Sequence, residues 1–399
     1  MGHQAGDALL ISFSQRLLAV AGETMLASRF GGDEFALLVQ GALDDAEQEK
    51  LCRRINEAAR LPFPLDRGTA YVTASVGLAL SHAAGSAGRG VEVGELMRRA
   101  DIALYAVKAA GRDGYRPFSD DLARAAAERS AIEAELRIAL QTDGQLQLFF
   151  QPKVDPDNAI KGVEALLRWH HPTRGWVPPS QVIPVAEETG LIIPLGNWIL
   201  REALAFAARW PQLNVAVNVS PLQLHHPRFV QDLLQAYHVA AVSFGRLELE
   251  VTETALMDDI NVVSGRLATL RAEGIRVALD DFGTGYSSLR HLHRCGVDRV
   301  KIDQSFVHGL DGSNEAAAII KAIIQLGHAM DLQVTAEGVE TDTQRRFLLE
   351  AGVDELQGYL FSKPLDEAGF VRLMRDWRSA GGNAGSPREY AVLNGGLDP

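Results

Sequence analysis

Apolar residues recur along this chain with two different periods, and the change of period divides it. From Ala8 to Val20 they fall at helical spacing (Leu9, Leu10, Phe13, Leu17, Leu18), which predicts an amphipathic helix. Ser28 to Val39, SRFGGDEFALLV, reads as a hairpin, two strands about the turn Gly31-Gly32-Asp33-Glu34. Glycines there tolerate positive φ and leave two adjacent carboxylates at an exposed tip. Ala46 to Ala59 predicts a second helix, Tyr71 to Leu80 (YVTASVGLAL) a strand, and Val93 to Gly111 a third helix ending in glycine. Ser119 to Leu140 is Ala-rich, with interspersed charges and apolar residues at helical spacing. It predicts one continuous helix joining two domains.

From Leu146 onward, strand-like and helix-like segments alternate. Strands read at Leu148 to Val154, Ile160 to Leu167, Asn214 to Val219, Leu247 to Val251, Ile275 to Leu279, Arg299 to Ile302, Gln333 to Ala336 and Glu355 to Leu360. Helices read between most of them, such as Leu195 to Trp210 and Asn261 to Glu273. Eight strands with intervening helices over about 230 residues predict an α/β fold with a (β/α)8 TIM-like barrel. The tail from Ser379 to Pro399 is rich in Gly, Asn and Pro and lacks apolar periodicity, so disorder is expected. The expected organisation is an N-terminal domain over 1–118, a linker helix over 119–141, a barrel over 142–378 and a disordered tail over 379–399.

Composition narrows the function. The 399 residues suffice for two or three cores. A net charge of -12 argues against a polymeric nucleic acid or a membrane surface as partner, since both want a basic footprint. It leaves room for an acidic, metal-filled pocket that takes a small anionic ligand. Cys52 and Cys295 lie far apart in no metal-ligand spacing, as reduced cytoplasmic thiols do. The start, MGHQAGDALL, lacks the basic segment and apolar core of a signal peptide. No run of about 20 apolar residues exists to span a membrane. A cytoplasmic, soluble protein is expected.

The chemistry lies at the ends of the barrel strands. The polar residues there are Glu164, Asn218, Glu250, Asp280 with Asp281, Lys301 with Asp303, Glu337 and Gln357. One such residue is usually a satisfied core polar group. A whole ring of them points to the shared mouth where α/β barrels keep their chemistry. Carboxylates that close would repel and take up protons unless cations sit among them. Oxygen ligands with one amide suit Mg²⁺ or Mn²⁺ rather than zinc. In LELEVT, Leu247, Leu249 and Val251 share one face while Glu248 and Glu250 take the other. An apolar face under helices and carboxylates directed at the barrel axis satisfy that alternation. Glu248 lies deeper than Glu250 and has no evident role. In DDFGTGYSSL, from Asp280 to Leu289, both aspartates can reach one site only where the strand gives way to loop. The glycine-rich loop alone reads equally as a phosphate cradle or a plain turn; beside a metal cluster, a loop that moves with metal or substrate is the better reading.

These stretches resemble a known family. EALLRW (Glu164 to Trp169), NVS (Asn218 to Ser220), EVTE (Glu250 to Glu253), DDFGTGYSS, KID (Lys301 to Asp303), AEGVE (Ala336 to Glu340) and QGYLFSKP (Gln357 to Pro364) are similar to the motifs of EAL-family cyclic di-GMP phosphodiesterases. The resemblance implies hydrolysis of cyclic di-GMP to linear pGpG with two Mg²⁺ or Mn²⁺ ions per site, Ca²⁺ being inhibitory. It implies that Glu164, Asn218, Glu250 and Asp280 hold one metal, and that Asp280, Asp281 and Glu337 serve the second. Lys301 is implied to orient the attacking water or neutralise the phosphate, and Glu337 to act as general base or metal ligand. Glu253 would hold the Asp280–Ser288 loop, and Arg168 would contact a substrate phosphate. Gln151, Asp303, Glu340 and Gln357 would complete the pocket wall. A homodimer through this domain is a further expectation. A non-catalytic receptor for the dinucleotide is the rival reading, but such receptors are expected to have lost metal ligands, loop glutamate or base. This chain keeps Glu164, Glu253, Asp280, Asp281, Lys301 and Glu337.

The first 118 residues resemble the GGDEF, or diguanylate cyclase, family through GH-x-x-GD (Gly2 to Asp7), RFGGDEF (Arg29 to Phe35) and AD-x-ALY-x-x-K-x-x-GR (Ala100 to Arg112). This implies a ferredoxin-like α+β domain with Asp7 at guanine, Asp33 and Glu34 as metal and catalytic carboxylates, and Lys108 and Arg112 at phosphates. The family's first strand and helix precede its GH-x-x-GD run, whereas here Met1 stands directly before Gly2. The expectation is therefore an incomplete, vestigial domain that makes no cyclic di-GMP, binds GTP weakly at best and acts as a regulatory remnant. A bifunctional cyclase and phosphodiesterase would require a start upstream of Met1.

Overall fold

A computed structural model describes residues 3–22, 25–41, 43–66, 68–81, 91–257, 260–283, 296–312 and 314–379 of the protein. The chain forms two compact units, 1–131 and 132–399. The division falls inside the helix Asp120–Ala139. The expected disordered tail, beyond Ser379, lies outside the described residues, as does Cys295.

The first unit opens with the helix His3–Ala21, followed by strands β1 (Met25–Gly31) and β2 (Glu34–Val39). They form the expected antiparallel hairpin about Gly32 and Asp33. Gly32 takes a φ of 51°, and Arg29 braces the turn by donating from Nε and Nη2 to the Gly32 carbonyl at 3.0 and 2.7 Å. The helix Asp45–Arg60 starts with a capping box between Asp44 and Glu47, which satisfies two otherwise orphaned backbone donors. Strands β3 (Phe63–Leu65) and β4 (Gly68–Ala70) pair antiparallel, and β5 (Ser75–Leu78) pairs parallel with β6 (Gly114–Pro117). The expected strand from Tyr71 to Leu80 is thus shorter, with only its second half paired. Gly77 explains the packing there. A Cβ at that position would meet the Ala100 carbonyl at 2.1 Å, so only glycine lets β5 lie against the helix Val93–Ala109. The unit's small core joins Leu17, Leu51 and Ile55 to Phe13, Phe35 and Leu37.

The second unit is the barrel. Its strands are β7 (Leu146–Val154), β8 (Ile160–His171), β9 (Gly175–Val177), β10 (Asn214–Asn218), β11 (Leu247–Thr252), β12 (Arg276–Phe282), β13 (Arg299–Ile302), β14 (Gln333–Ala336) and β15 (Glu355–Gln357). Eight of them close the sheet in the order β7, β8, β10, β11, β12, β13, β14, β15 and back to β7. The alternation of strand and helix therefore holds with one departure. β7 runs antiparallel to both β8 and β15. Only the turn 155–159 joins β7 to β8, tied by Asp155 N–H to the Ala159 carbonyl at 3.0 Å. A parallel crossover needs a dozen or more residues, so five residues dictate a hairpin. β9 folds back on β8 and was not legible in the sequence.

The outward faces of the strands pack under helices. Phe150 of β7 stacks on Phe206 at 3.8 Å, and Phe206 meets Phe370 edge-on at 5.6 Å. Leu247, Leu249 and Val251 of β11 are fully buried on the same outer side. Short helices follow three of the strands at the mouth: Pro221–His225, Glu253–Met257 and Gln304–His308. Ser220 and Asp303 cap the first and third. No described helix is long and apolar enough to cross a membrane.

Candidate active site

The strand pleat sends every second side chain inward, and here most of the inward positions around Lys301 are polar. Lys301 on β13 is buried; its ammonium donates to Glu250 Oε2 at 2.7 Å and forms ion pairs with Asp280 Oδ1 at 3.0 Å and Glu337 Oε1 at 2.6 Å. Glu164 on β8 completes the ring from the other side. Its Oε1 accepts from Asn218 Nδ2 at 2.7 Å and its Oε2 from Gln357 Nε2 at 2.6 Å. Gln357 also donates to Gln151 at 3.0 Å, and Gln151 donates to the Ser362 carbonyl at 3.2 Å. Eight residues from eight strand ends therefore line the mouth in two bonded groups, one centred on Lys301 and one on Glu164.

Beneath the ring lies a second polar layer that sequence reasoning missed. Lys153 Nζ donates to Glu250 Oε1 at 2.7 Å and Glu248 Oε1 at 3.3 Å. Arg299 holds Glu248 Oε2 at 3.0 Å, Glu355 Oε2 at 3.0 Å and Thr335 Oγ1 at 2.7 Å. Glu248, left without a role by its sequence alone, is the anchor of this layer. A signal did exist: Arg299, Glu248, Thr335 and Glu355 each stand two residues before a predicted site residue, and Lys153 two after Gln151. A period of two puts them on the same face.

The charges of the two layers explain the acidities. Burial works against ionised Glu250, but the ammonium groups of Lys153 and Lys301 outweigh it and hold its pKa at about 2. Lys153 and Lys301 keep their protons, because the surrounding carboxylates overcome the burial that disfavours them. Burial raises Glu337 to about 8, Asp280, Glu164 and Glu250 adding to it against the pull of Lys301. Burial and Glu250 likewise push Glu164 up.

Asp281 adopts a φ of 55° where the β12–β13 register slips between Leu279 and Phe282. This bulge answers the parity problem of two adjacent aspartates: it re-aims one of them. Burial raises the Asp281 pKa, and so do the neighbouring carboxylates of Asp280 and Asp303. Asp303 accepts from the Ser305 backbone N–H at 3.0 Å as a helix cap, so one of its oxygens is already engaged. Arg168 lies on the inward side of β8, four residues beyond Glu164, with Nη1 donating to the Leu167 carbonyl at 2.8 Å. Glu340 is exposed, 3.6 Å from His308 Nε2. The preceding residue, Val339, packs on Gly358, where a Cβ would come within 2.2 Å of the Val339 backbone. Glu253 starts the helix Glu253–Met257, is buried, and leaves Oε2 without a hydrogen-bond partner among the described residues. Ser288, at the far end of the loop it was expected to hold, lies outside them.

In the first unit, Asp33 and Glu34 sit exposed at the hairpin tip, Asp7 on the first helix, Lys108 on the last turn of the third, and Arg112 in the following turn at a φ of 64°. No side-chain hydrogen bond or ion pair among the described residues ties these five together.

The family model for the EAL domain matches residues 133–364. The chain belongs to the EAL domain family. Ahead of that domain, the family model for the diguanylate cyclase, GGDEF domain matches residues 1–114. The bifunctional diguanylate cyclase/cyclic di-GMP phosphodiesterase MucR of Pseudomonas aeruginosa is 39% identical over 91% of this chain and 53% of its own length. The cyclic di-GMP phosphodiesterase NbdA of the same organism is 38% identical over 95% of this chain and 48% of its own. The chain thus spans about half the length of these relatives. The solved structure of the PaMucR phosphodiesterase in complex with c-di-GMP is 41% identical, with a TM-score of 0.58 over 60% of this chain and 99% of that one.

The EAL site of this chain fits a divalent cation. In the two layers three cationic side chains, Lys153, Arg299 and Lys301, face six carboxylates, Glu164, Glu248, Glu250, Asp280, Glu337 and Glu355. The excess is negative, and burial with mutual repulsion raises Glu164, Asp281 and Glu337. Carboxylates crowded this way gain from a cation what they otherwise gain from a proton. Their oxygen donors, with the Asn218 amide, suit a hard ion. As the side chains stand, no three His, Cys, Asp or Glu among the described residues are placed to hold a metal ion. Where the carboxylates converge, the ammonium of Lys301 stands between them.

Proposed function

We propose that the EAL unit of this chain hydrolyses cyclic di-GMP to linear pGpG using Mg²⁺ or Mn²⁺, two ions per site, with Ca²⁺ inhibitory. The observation that carries this is the ring of carboxylates at the strand ends around Lys301. The activities for which MucR and NbdA are named support the substrate. Glu164, Asn218, Glu250 and Asp280 would hold one ion, and Asp280, Asp281 and Glu337 the other. When bound, divalent ions supply Lewis-acid activation of water and stabilise the attacking and leaving oxygens of an in-line displacement.

The chain's own residues complete the chemistry. With a pKa of about 8, Glu337 is poised near neutral pH to take up and release a proton, as a general base must. Lys301 provides a fixed positive charge beside it for charge developing on phosphate. Arg168, above Glu164 on the same face, would meet a substrate phosphate. Gln151, Asp303, Glu340 and Gln357 would line the pocket. Glu253, a buried carboxylate with a spare oxygen, would hold the loop after Asp280. We further infer a cytoplasmic protein that pairs through its EAL unit. The GGDEF unit would be regulatory, with weak GTP binding at best. Incubation with cyclic di-GMP and Mg²⁺, followed by chromatography for pGpG, tests the main proposal. Binding of the dinucleotide with no product would make the protein a receptor instead.

A further inference from the structure

We propose that Lys153 is a positioning residue for the metal centre, an ammonium group shared between Glu248 and Glu250 that holds one oxygen of Glu250 and restrains what that carboxylate offers a cation. The inference rests on the metal-dependent reading above and concerns a residue outside its ligand set.

The geometry is specific. Lys153 lies on β7 two residues deeper than Gln151, and its partners lie on β11, three strands around the barrel. Its side chain crosses the interior over β8 and β10, where the residue level with Lys153 on β8 is Gly162 and the residue level with Glu248 on β10 is Ala216. Small residues on both intervening strands leave the path open. The Lys153 side chain is 3% exposed, so it forms part of the barrel filling. Its ammonium stands 2.7 Å from Glu250 Oε1 and 3.3 Å from Glu248 Oε1. Lys301 takes the other oxygen, Glu250 Oε2, at 2.7 Å. Both oxygens of a candidate metal ligand are therefore occupied by ammonium groups.

The two lysines are placed differently. Lys301 stands at the mouth with Asp280 and Glu337, where a bound cation takes over its work of neutralising them. Lys153 stands underneath and has no reason to leave. Glu248 is its counterweight. Arg299 fixes Glu248 from below at 3.0 Å, so Glu248 draws the Lys153 ammonium down and away from Glu250. The balance between Glu248 and Glu250 for one ammonium sets how much negative charge Glu250 presents upward.

This makes two substitutions act in opposite directions on metal affinity. Lys153→Met removes a positive charge beneath the site and frees Glu250 Oε1, so Mn²⁺ should bind at least about tenfold tighter. Glu248→Gln removes the counterweight and leaves the ammonium to Glu250, so Mn²⁺ should bind about tenfold more weakly. A merely structural role would weaken binding in both. The experiment measures Mn²⁺ dissociation constants by isothermal titration calorimetry on the full chain, wild type and both variants at one pH, with thermal melts to verify folding. Opposite shifts support the proposal; shifts of the same sign, or none, in folded variants overturn it. If Lys153→Met does not fold, Lys153→Gln, which keeps a hydrogen-bond donor, is held to the same expectation. A wild type that binds no Mn²⁺ overturns the metal-dependent reading itself, and this inference with it.

Discussion

The Nζ atom of Lys301 stands 2.6 Å from Oε1 of Glu337, joining the ends of two neighbouring strands, β13 and β14. This pair places a permanent cation against a carboxyl group that burial inclines to hold a proton. Lys301 alone does not balance the site, since it also serves Glu250 and Asp280. Burial, with the neighbouring carboxylates of Asp280, Glu164 and Glu250, therefore keeps Glu337 raised to about 8. The lysine lets the three carboxylates stand close together by offsetting part of their repulsion, while the residual negative charge leaves a place for a metal ion.

Metal dependence is the most direct consequence. Hydrolysis of cyclic di-GMP should proceed with Mg²⁺ or Mn²⁺, stop with chelator, and be inhibited by Ca²⁺, which is larger and prefers looser coordination. Product chromatography with each ion checks this; activity that survives exhaustive chelation would remove the metal argument.

Metal affinity should depend on pH with a definite sign. Glu337 is raised from an ordinary 4.5 to about 8, so the folded protein keeps a proton there that the unfolded chain releases above about 4.5. The stability due to that proton is full below 4.5 and is lost as pH rises through 8. A cation that replaces the proton should bind up to about tenfold more tightly per pH unit up to pH 8, then level off. Melting curves with and without Mn²⁺ between pH 6 and 9 should show a stabilisation that grows with pH. A flat stabilisation would detach Glu337 from the metal.

Glu337 and Glu253 should fail differently when replaced. Glu337→Gln removes a proton acceptor or ligand at the reacting centre, and turnover should fall by about 10² or more. Glu253→Ala should lose activity together with metal affinity, and raised Mn²⁺ should recover part of it. Steady-state kinetics over a Mn²⁺ series separates them; equal, metal-independent losses would show the roles to be misassigned.

The GGDEF unit of this chain should yield no cyclic product from GTP and Mg²⁺. Glu337→Gln serves as the background, so that any cyclic di-GMP made would accumulate and be seen by mass spectrometry. Its appearance would make the chain bifunctional, as MucR is named. GTP-stimulated hydrolysis in the wild type would instead show a regulatory nucleotide site.

All eight barrel strands were readable from local pattern. β13 and β14 match their expected ends residue for residue, Arg299–Ile302 and Gln333–Ala336, because each alternates polar and apolar residues over a short segment. The parity of Leu247 to Thr252 announced that Glu248 and Glu250 face the axis, as they do. Strand-end position and parity also brought forward the ring itself, from Glu164 to Gln357. In this sense the sequence by itself determined the barrel, the face each strand turns inward and the chemical character of its mouth.

Tertiary structure decided the rest, because it concerns groups that meet only after the sheet closes. Lys153 lies 95 residues from Glu248, and no local period connects them; only closure between β8 and β10 brings β7 and β11 within a lysine's reach. The pairing that closes the sheet, β7 against β15 at the far end of the chain, is beyond any local pattern. The turn of Asp281 towards Asp303 follows from a slipped register between β12 and β13, which neither strand specifies alone. Acidity is likewise a property of the assembled barrel. Glu250 and Glu337 are the same residue type at equivalent strand ends, yet two ammonium groups hold one at about 2 while burial among carboxylates raises the other to about 8. Burial and the distance to charge set that difference, and both are fixed by folding.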